Sequence, residues 1–175
     1  MDALVVVESV FGNTRAVADA IATGLAGRMT VRTTDVTDAP STVSGVDLIV
    51  VGGPTHAFGM TRPATRRAAA DQSGGTVQAD SVGLREWLAA LPAGTAAAAT
   101  FDTRMGQLRI PGSAAKGAAR MLAKRGYWML TRPMTFQVAG TQGPLLDGEP
   151  ERAAAWGAEL ARQLVDRGTA SAHPS

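Results

Sequence analysis

Three short segments hold the side chains whose types and spacing could do chemistry. They are ESVFGNT at residues 8–14, GGPTHAFGM at 52–60 and FDTRMG at 101–106. The first offers small hydroxyl and amide groups, the second an imidazole beside an aromatic ring, and the third a carboxylate two residues from a guanidinium. Hydroxyls and backbone N–H groups suit an anion, and aromatic groups suit a flat ring.

The first segment predicts an anion site. Ser9, Gly12, Asn13 and Thr14 lead into a helical pattern, and the N–H groups at a helix N-terminus have no partner within the helix and favour negative charge. Neither GxxxxGK nor GxGxxG is present, so a nucleoside triphosphate or a dinucleotide is not indicated. The alternative is an ordinary capped helix start, because Ser, Asn and Thr are common at such positions.

The second and third segments extend this prediction. The glycines and the proline of GGP are expected to end a buried strand, and the Thr, His and Phe after them follow no amphipathic period. The alternative is that His56 and Phe58 only close a loop over the end of the sheet. In the third segment, Asp102 and Arg104 either form an exposed ion pair or place one charge at a bound redox group.

Composition excludes several other chemistries. The 175 residues include no cysteine and two histidines, which rules out disulfides, thiol catalysis and a metal site of Cys or clustered His. The net charge is only +2, and the 5% of aromatic residues do not alternate with basic ones, so nucleic-acid binding is not expected. No apolar run approaches the roughly 20 residues that span a bilayer, which predicts a cytoplasmic protein without membrane insertion.

The elements that must position these segments alternate between strands and helices, as in an open parallel sheet. Strands are expected at 4–7, 31–36, 47–51, 95–101 and 127–138, the last interrupted at Pro133. Helices are expected from 13 or 14 to Gly27, over 63–72, after an N-cap at Ser81, after an N-cap at Ser113, and from Pro150. Residues 1–167 form one domain, and 168–175 form a flexible C-terminal tail. Such sheets bind ligands at the carboxyl ends of their strands, where the three segments lie.

The same segments resemble the flavodoxin-like family. The strand followed by Ser9, Gly12, Asn13 and Thr14 resembles its phosphate loop for flavin mononucleotide (FMN), GGPTHAFG resembles the loop beside the isoalloxazine ring, and FDTR falls where the third flavin loop is expected. The resemblance implies a three-layer α/β fold, with a five-stranded parallel sheet in the order 2-1-3-4-5 and helices on both faces. It also implies that FMN is the cofactor.

The family's binding roles transfer to matching positions. The resemblance implies phosphate contacts from Ser9, Phe11, Gly12, Asn13 and Thr14, and ring contacts from Pro54, Thr55, His56, Ala57 and Phe58. It makes Gly59 a candidate for a peptide that responds to the flavin redox state, and puts Phe101, Asp102, Thr103 and Arg104 near the pyrimidine edge or the ribityl chain. No catalytic residue and no metal ligand is implied.

Three functions remain open. The first is an FMN-binding redox protein that passes electrons to a partner protein or to a small-molecule acceptor such as a quinone. The second is an FMN-dependent NAD(P)H:quinone oxidoreductase, because PTHAFGM followed by DQSGG resembles that branch. The third is a flavin-free interaction module, and a homo-oligomer is compatible with all three.

Two groups of residues outside the three segments also have alternative roles. Lys116, Arg120, Lys124 and Arg125 form either a solvated basic stripe or a docking surface for an acidic partner. Trp87, Trp128 and Trp156 are interpreted as packing residues.

Overall fold

A computed structural model describes residues 1–56, 59–72, 82–106 and 111–171. Within these ranges the strands are β1 (Asp2–Val7), β2 (Thr30–Asp35), β3 (Leu48–Pro54), β4 (Ala97–Met105), β5 (Trp128–Met129) and β6 (Met134–Val138). The helices are α1 (Asn13–Ala26), α2 (Pro63–Gln72), α3 (Leu84–Ala90), α4 (Ala114–Ala123) and α5 (Glu149–Ser171). A 3₁₀ turn at Val36–Asp38 follows β2. No helix in these ranges is both long and apolar enough to cross a membrane.

The strands form a parallel sheet in the order β2-β1-β3-β4-β5, which confirms the predicted topology. The fifth position is shared by two segments. β5 pairs with the start of β4, and β6 pairs in parallel with its end, from Phe101 to Met105. Pro133 lies between the two segments, as expected for a residue that has no N–H group to donate to a ladder.

Helices cover both faces of the sheet because successive strand side chains point to opposite sides. On one face, Val5 and Val50 pack with Ile21 of α1 and Leu160 of α5. On the other, Val6, Ile49 and Val51 pack with Leu88 of α3 and Leu122 of α4. These are the three layers that the sequence predicts, and they fix the strand ends that carry the three segments.

Two strands are longer than the sequence predicts. β3 continues through Gly52 and Gly53 to Pro54, and β4 continues through Phe101 to Met105, because the two strands stay paired to that point. The prediction that GGP ends its strand is therefore wrong, and FDTR lies on a strand rather than in a loop. Backbone pairing with a neighbour extends both strands beyond what residue preferences indicate.

The other elements follow the prediction, apart from two helix ends and one tryptophan side chain. Helix α3 has its N-cap at Gly83, not at Ser81, which lies outside the described residues. Trp128 is 39% exposed and stacks under Arg167, so it is not a core residue, whereas Trp87 and Trp156 are buried as predicted. Helix α5 runs past residue 168 to Ser171.

Candidate functional site

A cleft opens at the carboxyl edge of the sheet, where β1, β3, β4 and β6 end. It brings together eight of the residues that the sequence singles out, from all three segments: Phe11, Asn13, Thr14, Pro54, Thr55, His56, Thr103 and Arg104. The other lining residues are Val10, Met105, Val138, Gly140 and Thr141. Ala57 and Phe58 lie outside the described residues.

The N-terminus of α1 borders this cleft without a side-chain cap. Its N-cap is Gly12, whose φ of 84° is in the left-handed region that glycine adopts without the Cβ penalty of other residues. No residue in the described ranges accepts a hydrogen bond from the N–H groups of Asn13 or Thr14. The first turn also has no acidic residue. This helix end therefore has free donors and positive potential for an anion.

The side chains of the same loop already have partners within the protein. The Ser9 hydroxyl accepts from the Arg15 N–H at 3.2 Å, and the Asn13 amide donates to the Gln142 carbonyl at 2.9 Å. The buried Thr14 hydroxyl shares a 2.8 Å hydrogen bond with the hydroxyl of Thr103. The backbone N–H groups of Asn13 and Thr14 and the Ser9 O–H can still donate to an anion, and the side chains of Asn13 and Thr14 hold the loop to its surroundings.

His56 gives the cleft a neutral polar group. A two-way backbone pairing with Gly59, at 3.0 Å and 2.8 Å, holds the turn that contains it. Its Nε2 atom is buried, and no residue in the described ranges hydrogen-bonds to it. Burial lowers the pKa of the imidazole below its usual value, so the ring is uncharged at neutral pH. An uncharged imidazole nitrogen can either donate or accept a hydrogen bond.

Arg104 lines the cleft and Asp102 does not. The guanidinium of Arg104 is half-buried and donates to the Gly112 carbonyl at 3.4 Å. Asp102 is fully buried under the N-terminus of α4, two residues back on the same strand. The pair is therefore neither an exposed ion pair nor two charges competing for the cleft.

The Asp102 carboxylate instead accepts four hydrogen bonds. One oxygen accepts from the hydroxyls of Thr55 and Ser113, at 2.8 Å and 2.5 Å, and from the Ala115 N–H at 3.1 Å. The other accepts from the Thr135 hydroxyl at 2.7 Å. Asp102 thus joins β3, β4, β6 and α4 directly beneath the cleft.

Phe101 is also buried away from the cleft. It is 1% exposed, and its ring packs edge-on against Phe136, with centroids 6.1 Å apart. The expectation that Phe101 and Asp102 lie beside the flavin assumes that FDTR forms a loop. Because the segment is a strand buried on both faces, only Thr103 and Arg104, nearer its end, line the cleft.

Glu8 points away from the anion loop. Its carboxylate accepts from the Thr61 hydroxyl and, at 2.8 Å, from the Leu84 N–H, while Arg66 bridges Thr61 and Glu86. Burial is the main cause that raises the pKa of Glu8 above its ordinary value, and its hydrogen bonds and Arg66 oppose that rise. The Glu8 side chain therefore ties the end of β1 to α3.

The loop after β6 is a part of the site that the sequence reasoning missed. Val138, Gly140 and Thr141 line the cleft, and the Gln142 carbonyl anchors Asn13. The rule that ligands bind at the carboxyl ends of parallel strands applies to this strand as it does to the others. The signal was therefore the small-residue segment GTQG directly after the last strand. In the described part of the chain, no group of three or more His, Cys, Asp or Glu side chains could hold a metal ion.

Comparisons with solved structures place this architecture among known folds. The chain is similar to a flavodoxin from the domain Archaea, with 19% identity and a TM-score of 0.63 over 94% of this chain and 99% of the other. It is also similar to flavodoxin 1 from Bacillus cereus, with 18% identity and a TM-score of 0.66 over 93% and 98%.

A longer protein contains the same architecture as one part. Rubredoxin oxygen:oxidoreductase from Desulfovibrio gigas matches at 17% identity and a TM-score of 0.61, over 94% of this chain and 36% of that one. No protein-family model and no curated protein sequence matches the chain. Strand order, the helices on both faces and these structural neighbours together establish that the chain has a flavodoxin-like fold.

Proposed function

We propose that this protein binds FMN in the cleft and acts as a redox protein that transfers electrons to a partner. The observation that carries the proposal is the uncapped N-terminus of α1, which lies at one side of a cleft also lined by His56 and Arg104. The backbone N–H groups of Asn13 and Thr14 would hold the phosphate. Pro54, Thr55 and His56 would contact the ring. FMN supplies the redox chemistry when bound, and the chain supplies position and charge.

The residues present fit this cofactor in two respects. The α1 N-terminus has free donors and no competing carboxylate, as a phosphate requires. The buried Nε2 of His56 lacks a partner in the described ranges, and a ligand heteroatom would satisfy it. Ala57, Phe58 and Gly59 continue the loop that would flank the ring, and these contacts are part of the proposal.

A charge change at Gly12 tests the phosphate site. We expect Gly12→Asp to weaken FMN binding at least about tenfold, because a carboxylate at the helix end repels the phosphate. A Cβ at this position meets no atom within 4 Å, and Asp tolerates the left-handed conformation and favours a helix N-terminus. The measurement is a fluorescence titration of the flavin-free protein with FMN and, in parallel, with riboflavin.

The matched control is Gly12→Asn, which has the same shape and no charge. We expect Asn to retain most of the FMN affinity, and riboflavin, which has no phosphate, to bind both variants equally. An equal loss of FMN affinity in Gly12→Asp and Gly12→Asn would show that the altered backbone at residue 12, and not the added charge, weakens FMN binding. Failure of the unsubstituted protein to bind FMN at micromolar concentrations would reject the proposal itself.

The charge of Arg104 is expected to affect the reduction potential. A guanidinium near the ring favours an anionic reduced flavin, so Arg104→Ala should lower the two-electron midpoint potential by about 30 mV, or about 1.4 kcal/mol. Arg104→Lys keeps the charge and should keep the potential. Anaerobic titration of the FMN-loaded protein with a reference dye measures both variants. Identical potentials for the original protein and Arg104→Ala would contradict this role.

A further inference from the structure

A second pocket lies between α3 and α4, beside Gly59 and Met60. Its volume is about 220 Å³. Gly59, Met60, Ser113, Gly117 and Met121 form part of its wall, and the remaining lining residues are Arg85, Arg120 and Lys124. All three side chains in the pocket that carry a charge are therefore positive.

These cations are not neutralised within the described part of the chain. No carboxylate there forms an ion pair with Arg85, Arg120 or Lys124, whereas Glu86, the nearest acid along α3, pairs with Arg66 at 3.1 Å. The Nε atom of Arg85 is buried, and no residue in those ranges accepts a hydrogen bond from it. Among the described residues, the hydrogen bond of the same guanidinium is a long 3.4 Å contact with the Met60 carbonyl.

The pocket differs from the basic stripe that the sequence predicts. Arg125 is not part of it, because its guanidinium donates to the carbonyls of Ala89, Leu91 and Met121 and fixes the end of α3. Lys116 is exposed on α4 and does not line the pocket. Arg85, which belongs to another helix, takes their place, so the positive charges converge on a concavity instead of covering one helix face.

We propose that this pocket binds a phosphate-bearing small molecule, with a phosphate or pyrophosphate group held between Arg85 on α3 and Arg120 and Lys124 on α4. Guanidinium groups bind phosphate through paired N–H donors, and an ammonium adds a third, adjustable charge. A concave pocket whose cations have no carboxylate partner in the described part of the chain fits a compact, multiply charged anion better than it fits a broad protein surface. The site does not depend on FMN binding.

The test is a titration of the protein with inorganic pyrophosphate, followed by the chemical shifts of backbone amides. We expect shifts for Gly117 and Arg120 that saturate at low salt and weaken as KCl is added. The double variant Arg120→Gln/Lys124→Gln should bind pyrophosphate at this site at least about tenfold more weakly, the loss expected when charge-assisted hydrogen bonds are removed. The matched control Lys116→Gln removes one charge from the same helix and should change the affinity less than about twofold.

The outcomes separate this site from the proposed FMN site. Shifts confined to residues 12–14 would assign the anion to α1 and overturn the inference, as would an equal loss of binding in Lys116→Gln. Saturable binding of poly-glutamate at Gly117 and Arg120 without binding of pyrophosphate would identify an acidic protein partner and also overturn it. The FMN titration of the double variant is a separate readout, and we expect it to be unchanged.

Discussion

Asp102→Ala is expected to lower the free energy of unfolding by about 3 kcal/mol, the larger of the two stability effects that we expect from this structure. The substitution removes the acceptor for four donors at once, on Thr55, Ser113, Ala115 and Thr135. Hydroxyl groups can rotate toward other acceptors, but the buried Ala115 N–H at the start of α4 cannot. Urea unfolding followed by circular dichroism measures the change as a shift in midpoint at constant slope.

Asp102→Asn separates hydrogen bonding from charge. An asparagine can direct its oxygen at the three donors that share one carboxylate oxygen, while its NH₂ group donates to Thr135, whose hydroxyl can accept. We therefore expect Asn to recover more than half of the stability lost in Ala. The exposed Asp19, which pairs with Arg15 on the surface of α1, provides the control, and Asp19→Ala should cost less than about 0.5 kcal/mol. Equal stability of Asp102→Ala and the original protein would contradict the network.

The buried role of Asp102 marks the limit of what the sequence could predict. The order of strands and helices along the chain follows from alternating apolar runs and helical periods, whereas the strand order within the sheet came from the resemblance to the flavodoxin-like family; the structure confirms both. The orientation of FDTR depends on where a strand stops. The end of β4 is fixed by pairing with β3 and β6, which are distant in sequence. Local residue preferences therefore could not predict it.

The candidate site shows the same division. Sequence patterns located eight of the residues around the cleft because they lie at or just beyond the carboxyl ends of parallel strands. They could not show that Asn13 and Thr14 use their side chains to hold Gln142 and Thr103, so that at these two positions the backbone N–H groups are the donors for an anion. They also could not show that Arg85 joins Arg120, since convergence of two helices on one pocket depends on how both pack on the sheet.

The paired glycines of β3 were expected to end the strand, but the structure shows a packing reason for the first of them. Gly52 and Gly53 do not end the strand, and each faces a different layer. A Cβ on Gly52 would lie 2.1 Å from Cζ of Phe101, whereas a Cβ on Gly53 would lie 3.1 Å from a terminal methyl of Leu84. The first glycine is needed because the ring of the paired residue on β4 lies across the backbone.

We expect Gly52→Ala to lower the free energy of unfolding by about 2–3 kcal/mol, the upper part of the usual range for overpacking a core. The Phe101 ring is buried and held edge-on by Phe136, so it cannot yield to the new methyl without moving β4. Gly53→Ala should change stability by less than about 1 kcal/mol, because a leucine methyl can rotate and alanine reduces the entropy of the unfolded chain. Urea unfolding of the two variants side by side makes the comparison.

A double-mutant cycle identifies the cause. Phe101→Leu removes the ring that meets the new methyl. The stability lost in Gly52→Ala/Phe101→Leu should therefore be smaller than the sum of the losses in the two single variants. Strict additivity would mean that the methyl clashes with something else. Because Gly52 pairs with Phe101 two residues before Pro54 pairs with Thr103, a displaced β4 also separates two walls of the cleft. Gly52→Ala should therefore weaken FMN binding where Gly53→Ala does not, which links this core contact to the proposed site.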